Sequence, residues 1–193
     1  MRRRYVGAAL LAGGAFFVLG GCARDAGIRK EMGPGPAARV QQGGAVVIPG
    51  VPFLPQEENT CGPSSLAMVL RFFGQDVRTG EIVRETRTPG ISDVLITDLA
   101  EAARRRGFKA EVVDLDLVRL REKIAEGIPV ILLVDLGVWV YSRPHYLLAF
   151  GVTPSGVVAH SGREEGKVIP FATLDAQWAK MGRLAVVVHR RAN

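Results

Sequence analysis

The sequence has little of what metal, nucleotide or nucleic-acid chemistry requires. Its 193 residues include three histidines and two cysteines. No two of the histidines have metal-ligand spacing, which argues against zinc. It lacks a glycine-rich phosphate loop, and its basic residues are scattered and not interleaved with aromatic ones. We therefore expect no metal, no cofactor and no nucleic-acid partner.

The net charge is also smaller than it first appears. The formal value of +6 comes from 25 basic and 19 acidic residues. Three of the basic residues are the arginines at positions 2–4. Without them, 22 basic residues and 19 acidic residues remain, a net charge of +3. With 48% hydrophobic and 23% charged residues, the composition is typical of a globular protein with a core.

The N-terminal segment has the pattern of an export signal. Its arginines are followed by an uncharged apolar run over residues 6–19, which is short for a membrane span. The run ends in Leu-Gly-Gly-Cys at Cys22, which resembles a bacterial lipoprotein lipobox. The resemblance implies cleavage before Cys22 and lipidation of that cysteine. The alternative is an uncleaved signal anchor or an ordinary secretory signal.

These features predict three segments: a signal peptide over residues 1–21, a lipidated flexible tether over 22–45, and a domain over 46–193. The tether is rich in glycine and proline and shows no helical or alternating period. Ala23, not aspartate, follows the cysteine, which by resemblance implies outer-membrane sorting in a Gram-negative cell. The expected location is the bacterial cell envelope, with a lipid anchor in the membrane.

A helix is predicted directly after Cys61. Four apolar residues recur at the spacing of one buried helix face: Leu66, Val69, Leu70 and Phe73. Pro63 suits the first helical position, and Gly74 supplies a stop. Cys61 is therefore expected at a helix N-terminus, where N–H groups and the macrodipole favour an anion and lower the pKa of a thiol. The alternative is a small buried thiol with a structural role.

The remaining pattern predicts helices first and hairpin-linked strands last. Helices are predicted at 79–85, from a Ser92 N-cap to Gly107, from Asp114 or Asp116 to 125, and after a Thr173 N-cap. Strands are predicted at 108–113, 129–134, 145–152, 157–160 and 184–188. This segregation indicates an α+β fold and not a doubly wound sheet.

Cysteine chemistry also requires a base near the sulfur and donors for the developing oxyanion. His145 begins a predicted strand 84 residues beyond Cys61. Gln56 lies five residues before the cysteine, and its amide N–H is a candidate donor together with the Cys61 backbone N–H. The distant histidine makes the nucleophile reading of Cys61 preferable to the structural one.

Two sequence motifs resemble those of the C39 group of papain-like cysteine peptidases, especially its lipoproteins. The first is Gln56, four further residues and then Cys61-Gly-Pro. The second is the later strand Pro-His-Tyr-Leu-Leu-Ala-Phe-Gly, which contains His145. The resemblance covers residues 51–188. It implies Cys61 as nucleophile, His145 as general base and acid, and Gln56 as oxyanion donor. It also implies a papain-like fold, with N-terminal helices packed on a mostly antiparallel sheet, and a peptide or protein substrate.

One position departs from that family. An aspartate is usual about 16 residues beyond the histidine, and here the place holds Ser161. A carboxylate would orient the imidazole and stabilise its protonated form. The Ser161 hydroxyl can hold a ring N–H but carries no charge, so reduced activity or an unusual substrate is expected. Asp135 and Asp175 are candidate substitutes, and His160 is expected to have a structural or partner role.

Three functions remain open. The preferred one is a lipid-anchored cysteine peptidase acting on peptide or isopeptide bonds. The second is a non-catalytic domain that binds peptides or envelope proteins in the same cleft, which Ser161 favours. The third is a cell-wall amidase of another papain-like lipoprotein type; those usually have Asp-Cys-Ser-Gly, which Thr60-Cys61-Gly62-Pro63 does not match.

Overall fold

The computed structural model describes residues 39–40, 44–57, 59–87 and 93–191. The predicted signal peptide, Cys22 and most of the predicted tether lie outside these residues. Within them the helices are α1 (Cys61–Phe72), α2 (Thr79–Thr86), α3 (Ile96–Arg105), α4 (Leu117–Ala125) and α5 (Phe171–Ala179). The strands are β1 (Arg39–Val40), β2 (Val46–Val47), β3 (Lys109–Asp114), β4 (Val130–Asp135), β5 (Pro144–Thr153), β6 (Gly156–Ser161), β7 (Glu164–Ile169) and β8 (Leu184–His189).

The described strands form one antiparallel sheet in the order β1-β2-β5-β4-β8-β3. Strand β6 pairs with β5, and β7 pairs with β6. Strands β4 and β2 pair with successive parts of β5, so they share one edge of it and β6 takes the other. The predicted α+β class with a mostly antiparallel sheet is confirmed.

The core lies on both faces of this sheet. All six residues of β4 are buried, as expected of an apolar strand covered on both sides. Helix α1 contacts β5 and β4, α5 contacts β4 and β6, and α4 contacts β5 and β2. Helix α3 contacts β3 and β8. The ends of α1 and β5 are thereby fixed relative to each other by packing.

Helix α1 begins two residues earlier than predicted. Its first residue is Cys61, so Pro63 occupies the third helical position and not the first. Proline is tolerated there because the N–H groups of the first turn have no intrahelical partner. Gly74, with φ of 88°, follows the helix as expected.

Two other helix starts differ from prediction. Helix α3 begins at Ile96 and not after Ser92, which lies outside the described residues. Helix α5 begins at Phe171, so Thr173 lies inside it and does not cap it. The Asp116 cap of α4 is confirmed, since its carboxylate accepts a 2.7 Å hydrogen bond from the Arg119 N–H.

Strand β7 was not predicted. Apart from Val168 and Ile169 it is charged or glycine, and a salt bridge of 2.7 Å joins Lys167 and Glu164. It pairs only with β6 among the described strands, so no buried face imposes an apolar alternation on it. In addition, β1 brings two residues that were assigned to the tether into the sheet, opposite β2.

Candidate active site

A tight turn delivers Cys61 to the start of α1. The Thr60 hydroxyl accepts a hydrogen bond from the Glu57 N–H at 2.9 Å, and the Thr60 N–H donates to the Glu57 carbonyl at 3.1 Å. Asn59 within this turn has φ of 60°, a conformation that asparagine tolerates better than most residues. The Thr60 carbonyl then accepts the Ser64 N–H at 2.8 Å, the first bond of the helix.

His145 and Ser161 are brought together by the pairing of β5 with β6. The imidazole Nε2 of His145 lies 3.1 Å from the Ser161 Oγ. A neutral ring that donates from Nε2 has an unprotonated Nδ1, which is a base. Within the described residues no hydrogen bond engages Nδ1. The structure therefore places Ser161 where it can select the tautomer of His145.

Gln56 is buried, with 6% of its surface exposed. Its Oε1 accepts the Gly162 N–H at 2.9 Å, which dictates the orientation of the amide. The Nε2 then faces α1 and β5, where it donates to the Ser65 hydroxyl at 3.2 Å and to the Tyr146 carbonyl at 3.5 Å. The last contact is long, so one amide N–H is only weakly engaged.

These groups line one cleft of about 950 Å³. Cys61, His145 and Gln56 all contribute to its wall, although they come from distant parts of the chain. Ser161 is next to the wall residue Gly162. The structure thus brings the four described candidate residues together; the fifth, Cys22, lies outside the described residues.

Tyr146 is a positioning residue to which sequence reasoning gave no role. Its hydroxyl donates to the Val94 carbonyl at 2.9 Å, and its ring packs on the backbone of Gly62. It therefore ties β5 to both the cysteine helix and the segment before α3. Its position directly after His145 was the available signal.

The contact with Tyr146 predicts the effect of Gly62→Ala. An added Cβ would lie 3.0 Å from the ring carbon Cδ2 of Tyr146 and 3.2 Å from Leu99 Cδ1. Gly→Ala in a helix normally stabilises by about 0.5–1 kcal/mol. Here overpacking should reverse the sign and lower the free energy of unfolding by about 1–3 kcal/mol. Urea unfolding measures this.

Gly80→Ala in α2 is the matched control. Its added Cβ would meet only the end of the Arg84 side chain, at 3.9 Å. This variant should be as stable as the wild type or slightly more stable. Equal effects of the two substitutions would contradict the packing of Tyr146 on Gly62.

The electrostatics of Cys61 correct a prediction. Burial is the largest influence and raises the pKa of the Cys61 thiol, whereas a lowered pKa was expected from the helix end. The backbone N–H groups of Tyr146, Gly62 and Cys61 act in the opposite direction, and the Asp93 charge raises the pKa further. Desolvation outweighs the N–H groups, so the resting sulfur is a neutral thiol.

His145 is likewise neutral at rest. Burial, assisted by the positive charge of Arg143, lowers the pKa of His145 to about 4. A neutral thiol and a neutral imidazole that line one cleft differ from a preformed thiolate–imidazolium pair. The proton must then move from sulfur to nitrogen during attack, as in general-base catalysis.

The depressed pKa of His145 predicts loss of stability in acid. In the unfolded chain the group titrates near 6.5, so below that pH the unfolded state binds the extra proton. The stabilisation, up to about 3 kcal/mol, is present above pH 6.5 and falls as the pH approaches 4. Thermal unfolding at pH 7 and pH 5 checks this, and the decrease should be smaller in His145→Gln.

His160 shows the structural role expected of it. It is buried, its Nδ1 accepts the Gly166 N–H at 3.1 Å, and its Nε2 lies 3.4 Å from the Val51 carbonyl. The ring packs against Phe53 and Phe150, with centroid distances of 5.1 and 4.4 Å. Burial lowers the pKa of His160. The histidine, on β6, thus joins the chain before α1 to β5 and to β7.

Neither aspartate considered as a substitute partner engages His145. Asp135 accepts the Gly137 and Arg143 N–H groups at 2.6 and 2.8 Å, which lowers the pKa of its carboxyl. Asp175 pairs with Arg183 at 2.9 Å. Among the described residues, Ser161 is therefore the hydrogen-bond partner of the imidazole.

Metal-ligand clusters and long apolar helices are both absent from the described residues. No group of three or more histidine, cysteine or acidic side chains in this part of the chain can hold a metal ion. No helix in the same residues has the length and apolar character needed to cross a bilayer.

The sequence is similar to one known protein family. The model of the Peptidase_C39 like family matches residues 48–186. No curated protein matches the sequence.

Solved structures share the fold at low sequence identity. A putative C39-like peptidase from Bacillus anthracis has a TM-score of 0.65 and 17% identity, covering 77% of this chain and 99% of that one. The peptidase domain of Streptococcus ComA, a bifunctional ABC transporter in quorum sensing, has a TM-score of 0.61 and 19% identity, with coverage of 72% and 97%. A double-glycine-motif protease from an AMS/PCAT transporter, in complex with the leader peptide, has a TM-score of 0.61 and 20% identity, with coverage of 80% and 99%.

Proposed function

Because the chain belongs to the Peptidase_C39 like family, we propose that it is a lipid-anchored cysteine peptidase that hydrolyses peptide bonds in the bacterial cell envelope. One observation carries the proposal: a cysteine at the start of α1 and a histidine held by a hydrogen bond line the same cleft. The buried Gln56 amide on the same wall supports it.

In this proposal Cys61 is the nucleophile and His145 moves the protons. The sulfur attacks the substrate carbonyl carbon while its proton passes to Nδ1 of His145. The Cys61 backbone N–H and the Gln56 Nε2 donate to the oxyanion. Collapse breaks the C–N bond, the leaving amine takes the proton from His145, and water then releases the acyl group with the same imidazole as base.

The substrate is proposed to be a peptide or protein. The structure of the double-glycine-motif protease contains a leader peptide, and the cleft here has a volume typical of ligand sites. The location follows from the signal and lipobox pattern: Cys22 lipidated, with the domain facing the periplasm from the outer membrane if the cell is Gram-negative. Envelope proteins are further candidate partners.

A second function has support of its own. Ser161 supplies no charge to the imidazole, burial raises the pKa of Cys61, and that of His145 is lowered to about 4. A site with these properties is a weak nucleophile at neutral pH. The alternative is a domain with little or no activity that binds peptides or partner proteins in the same cleft.

Thiol labelling tests the proposal. An electrophilic probe carrying a peptide should label the wild-type chain, and Cys61→Ala should abolish labelling, while Cys22→Ser should keep it. His145→Ala should slow labelling by about 100-fold or more, the usual contribution of a general base. The same variants are then incubated with envelope peptides and with peptidoglycan fragments, and the products are analysed by mass spectrometry.

The outcomes separate the two functions. Cleavage that depends on Cys61 and His145 supports the peptidase. Peptide binding without cleavage, with labelling unchanged in His145→Ala, supports the binding domain and rejects the peptidase.

A further inference from the structure

Four consecutive apolar residues project from the protein beside the cleft. They lie between β4 and β5, and their exposed fractions are 69% for Val138, 99% for Trp139, 90% for Val140 and 78% for Tyr141. Single exposed apolar residues are common on protein surfaces, but contiguous groups of this kind mark interaction sites. We call residues 138–141 the apolar loop.

The base of the apolar loop is fixed by hydrogen bonds. One carboxylate oxygen of Asp135 accepts both the Gly137 and the Arg143 N–H. The Leu136 N–H donates to the Arg143 carbonyl at 3.0 Å. A side chain at Gly137 would lie 1.9 Å from the Tyr141 carbonyl oxygen, so the chain crosses itself closely there. The apolar side chains are thus held outward by a built scaffold.

Two cationic residues and one carboxylate, that of Asp135, lie at this base. Arg143 ends the connection, and the ammonium of Lys180 donates to the Gly137 carbonyl at 3.0 Å. The connection, residues 136–143, contains no acidic residue. An apolar tip with cations behind it matches a membrane interface, where tryptophan and tyrosine lie at the headgroup level and cations attract anionic lipid.

We propose that the apolar loop inserts into the interface of the lipid bilayer to which the chain is anchored. The inference rests on the proposed lipidation of Cys22. About 17 residues separate Cys22 from the first described strand, and a chain of that length spans at most about 60 Å in any conformation. The anchor thus keeps β1 within that distance of the bilayer, which leaves the apolar loop free to reach the bilayer surface.

A bilayer fits the shape of the loop better than a peptide does. Trp139 is 99% exposed, so no neighbouring side chain forms a groove with it for a bound peptide. Insertion would also orient the cleft, because Arg143, the last residue of the connection, and Pro144, the first of β5, both line the cleft wall. The cleft mouth is then held at the membrane surface, where it meets peptides bound to or emerging from lipid.

Tryptophan fluorescence tests this directly. The chain has two tryptophans, and Trp178 is fully buried, with its indole N–H bonded to the Leu184 carbonyl at 2.8 Å. Changes on membrane contact therefore report Trp139. The full chain is reconstituted in vesicles of phosphatidylethanolamine and phosphatidylglycerol that carry nitroxide-labelled acyl chains. We expect a blue shift and loss of most Trp139 emission.

The matched control moves the reporter tryptophan from the apolar loop to helix α4. In Trp139→Ser with Val118→Trp, the tryptophan lies on α4 at a position that is 66% exposed in the wild type. It should remain accessible to aqueous acrylamide and escape the lipid quencher. If the Trp178→Phe variant folds, its fluorescence comes from Trp139 alone. If it does not fold, the wild-type spectrum with vesicles minus the spectrum without them reports Trp139.

Several outcomes overturn the inference. Trp139 that stays accessible to acrylamide on vesicle-bound chain rejects insertion and leaves the anchor and the peptidase intact. If added peptide changes the Trp139 spectrum without lipid, the apolar loop binds substrate. If higher protein concentration changes it without lipid, the apolar loop binds a second copy of the chain. Chain that does not sediment with vesicles rejects both insertion and the anchor, whereas Cys61 labelling still reports the peptidase separately.

Discussion

Ser161→Asp is expected to increase peptide cleavage and Cys61 labelling by about 10–100-fold at neutral pH. The Ser161 Oγ lies 3.1 Å from Nε2 of His145, and a carboxylate there would face the ring directly. An opposite charge at this distance raises the pKa of a histidine by about 1–3 units. The resulting imidazolium stabilises the thiolate, so the pKa of Cys61 falls from its raised value.

The pH dependence of Cys61 alkylation shows the direction of the expected change. In the wild type, the rate of Cys61 alkylation should climb as the pH rises through the elevated pKa of the thiol, because only the thiolate reacts. In Ser161→Asp the whole profile should move to lower pH. Ser161→Asn is the control, since it keeps a hydrogen-bonding side chain without charge and should leave the profile in place.

Alkylation rates measured from pH 5 to pH 10, with thermal unfolding of each variant, decide the matter. If the pH profile of alkylation is unshifted in a well-folded Ser161→Asp chain, the charge of the imidazole does not affect the pKa of the Cys61 thiol. The binding function would then be favoured over the peptidase.

Local sequence signals predicted the elements that build the site. The period of Leu66, Val69, Leu70 and Phe73 gave α1, because a helix buried on one face must repeat its apolar residues at that spacing. The apolar run of β4 and the strand after Pro144 were read in the same way. Their registers, which bring His145 opposite Val134, were not readable, since pairing depends on residues far apart in sequence.

The charge states of the site escaped prediction for the same reason. A helix end is a local feature, and it indicated a lowered thiol pKa. The burial that raises the pKa is created by the surrounding fold, and the charge of Asp93, in the segment before α3, raises it further. That segment was itself predicted to be helical from Ser92, whereas α3 begins at Ile96.

The resemblance added to what the spacing of the residues indicated about the site. Position in the sequence indicated the cysteine, a distant histidine and Gln56 as a candidate donor, while the resemblance implied their roles and marked Ser161 as a departure. Neither source indicated the hydrogen bond from the Tyr146 hydroxyl to the Val94 carbonyl, because that contact joins a strand and a loop residue 52 positions apart.

Gln56→Leu is expected to lower kcat for peptide cleavage by about 100–1,000-fold with little change in KM, the loss typical of a missing oxyanion donor. The substitution keeps the size of the side chain and removes the amide N–H. Because Gln56 is 6% exposed, it also leaves the Gly162 N–H without its acceptor. That loss should cost about 1–3 kcal/mol of stability, measured by urea unfolding.

Comparing Cys61 alkylation with peptide cleavage separates a catalytic role of Gln56 from a structural one. Alkylation of Cys61 by a small haloacetamide develops no oxyanion, so its rate and pH profile should change little in Gln56→Leu while cleavage collapses. Ser65→Ala is the control, because it removes the 3.2 Å partner of Nε2 and keeps the donor. It should retain cleavage within a few-fold. Parallel losses of alkylation and cleavage in Gln56→Leu would instead assign Gln56 to holding the cleft in shape through Gly162 and Tyr146.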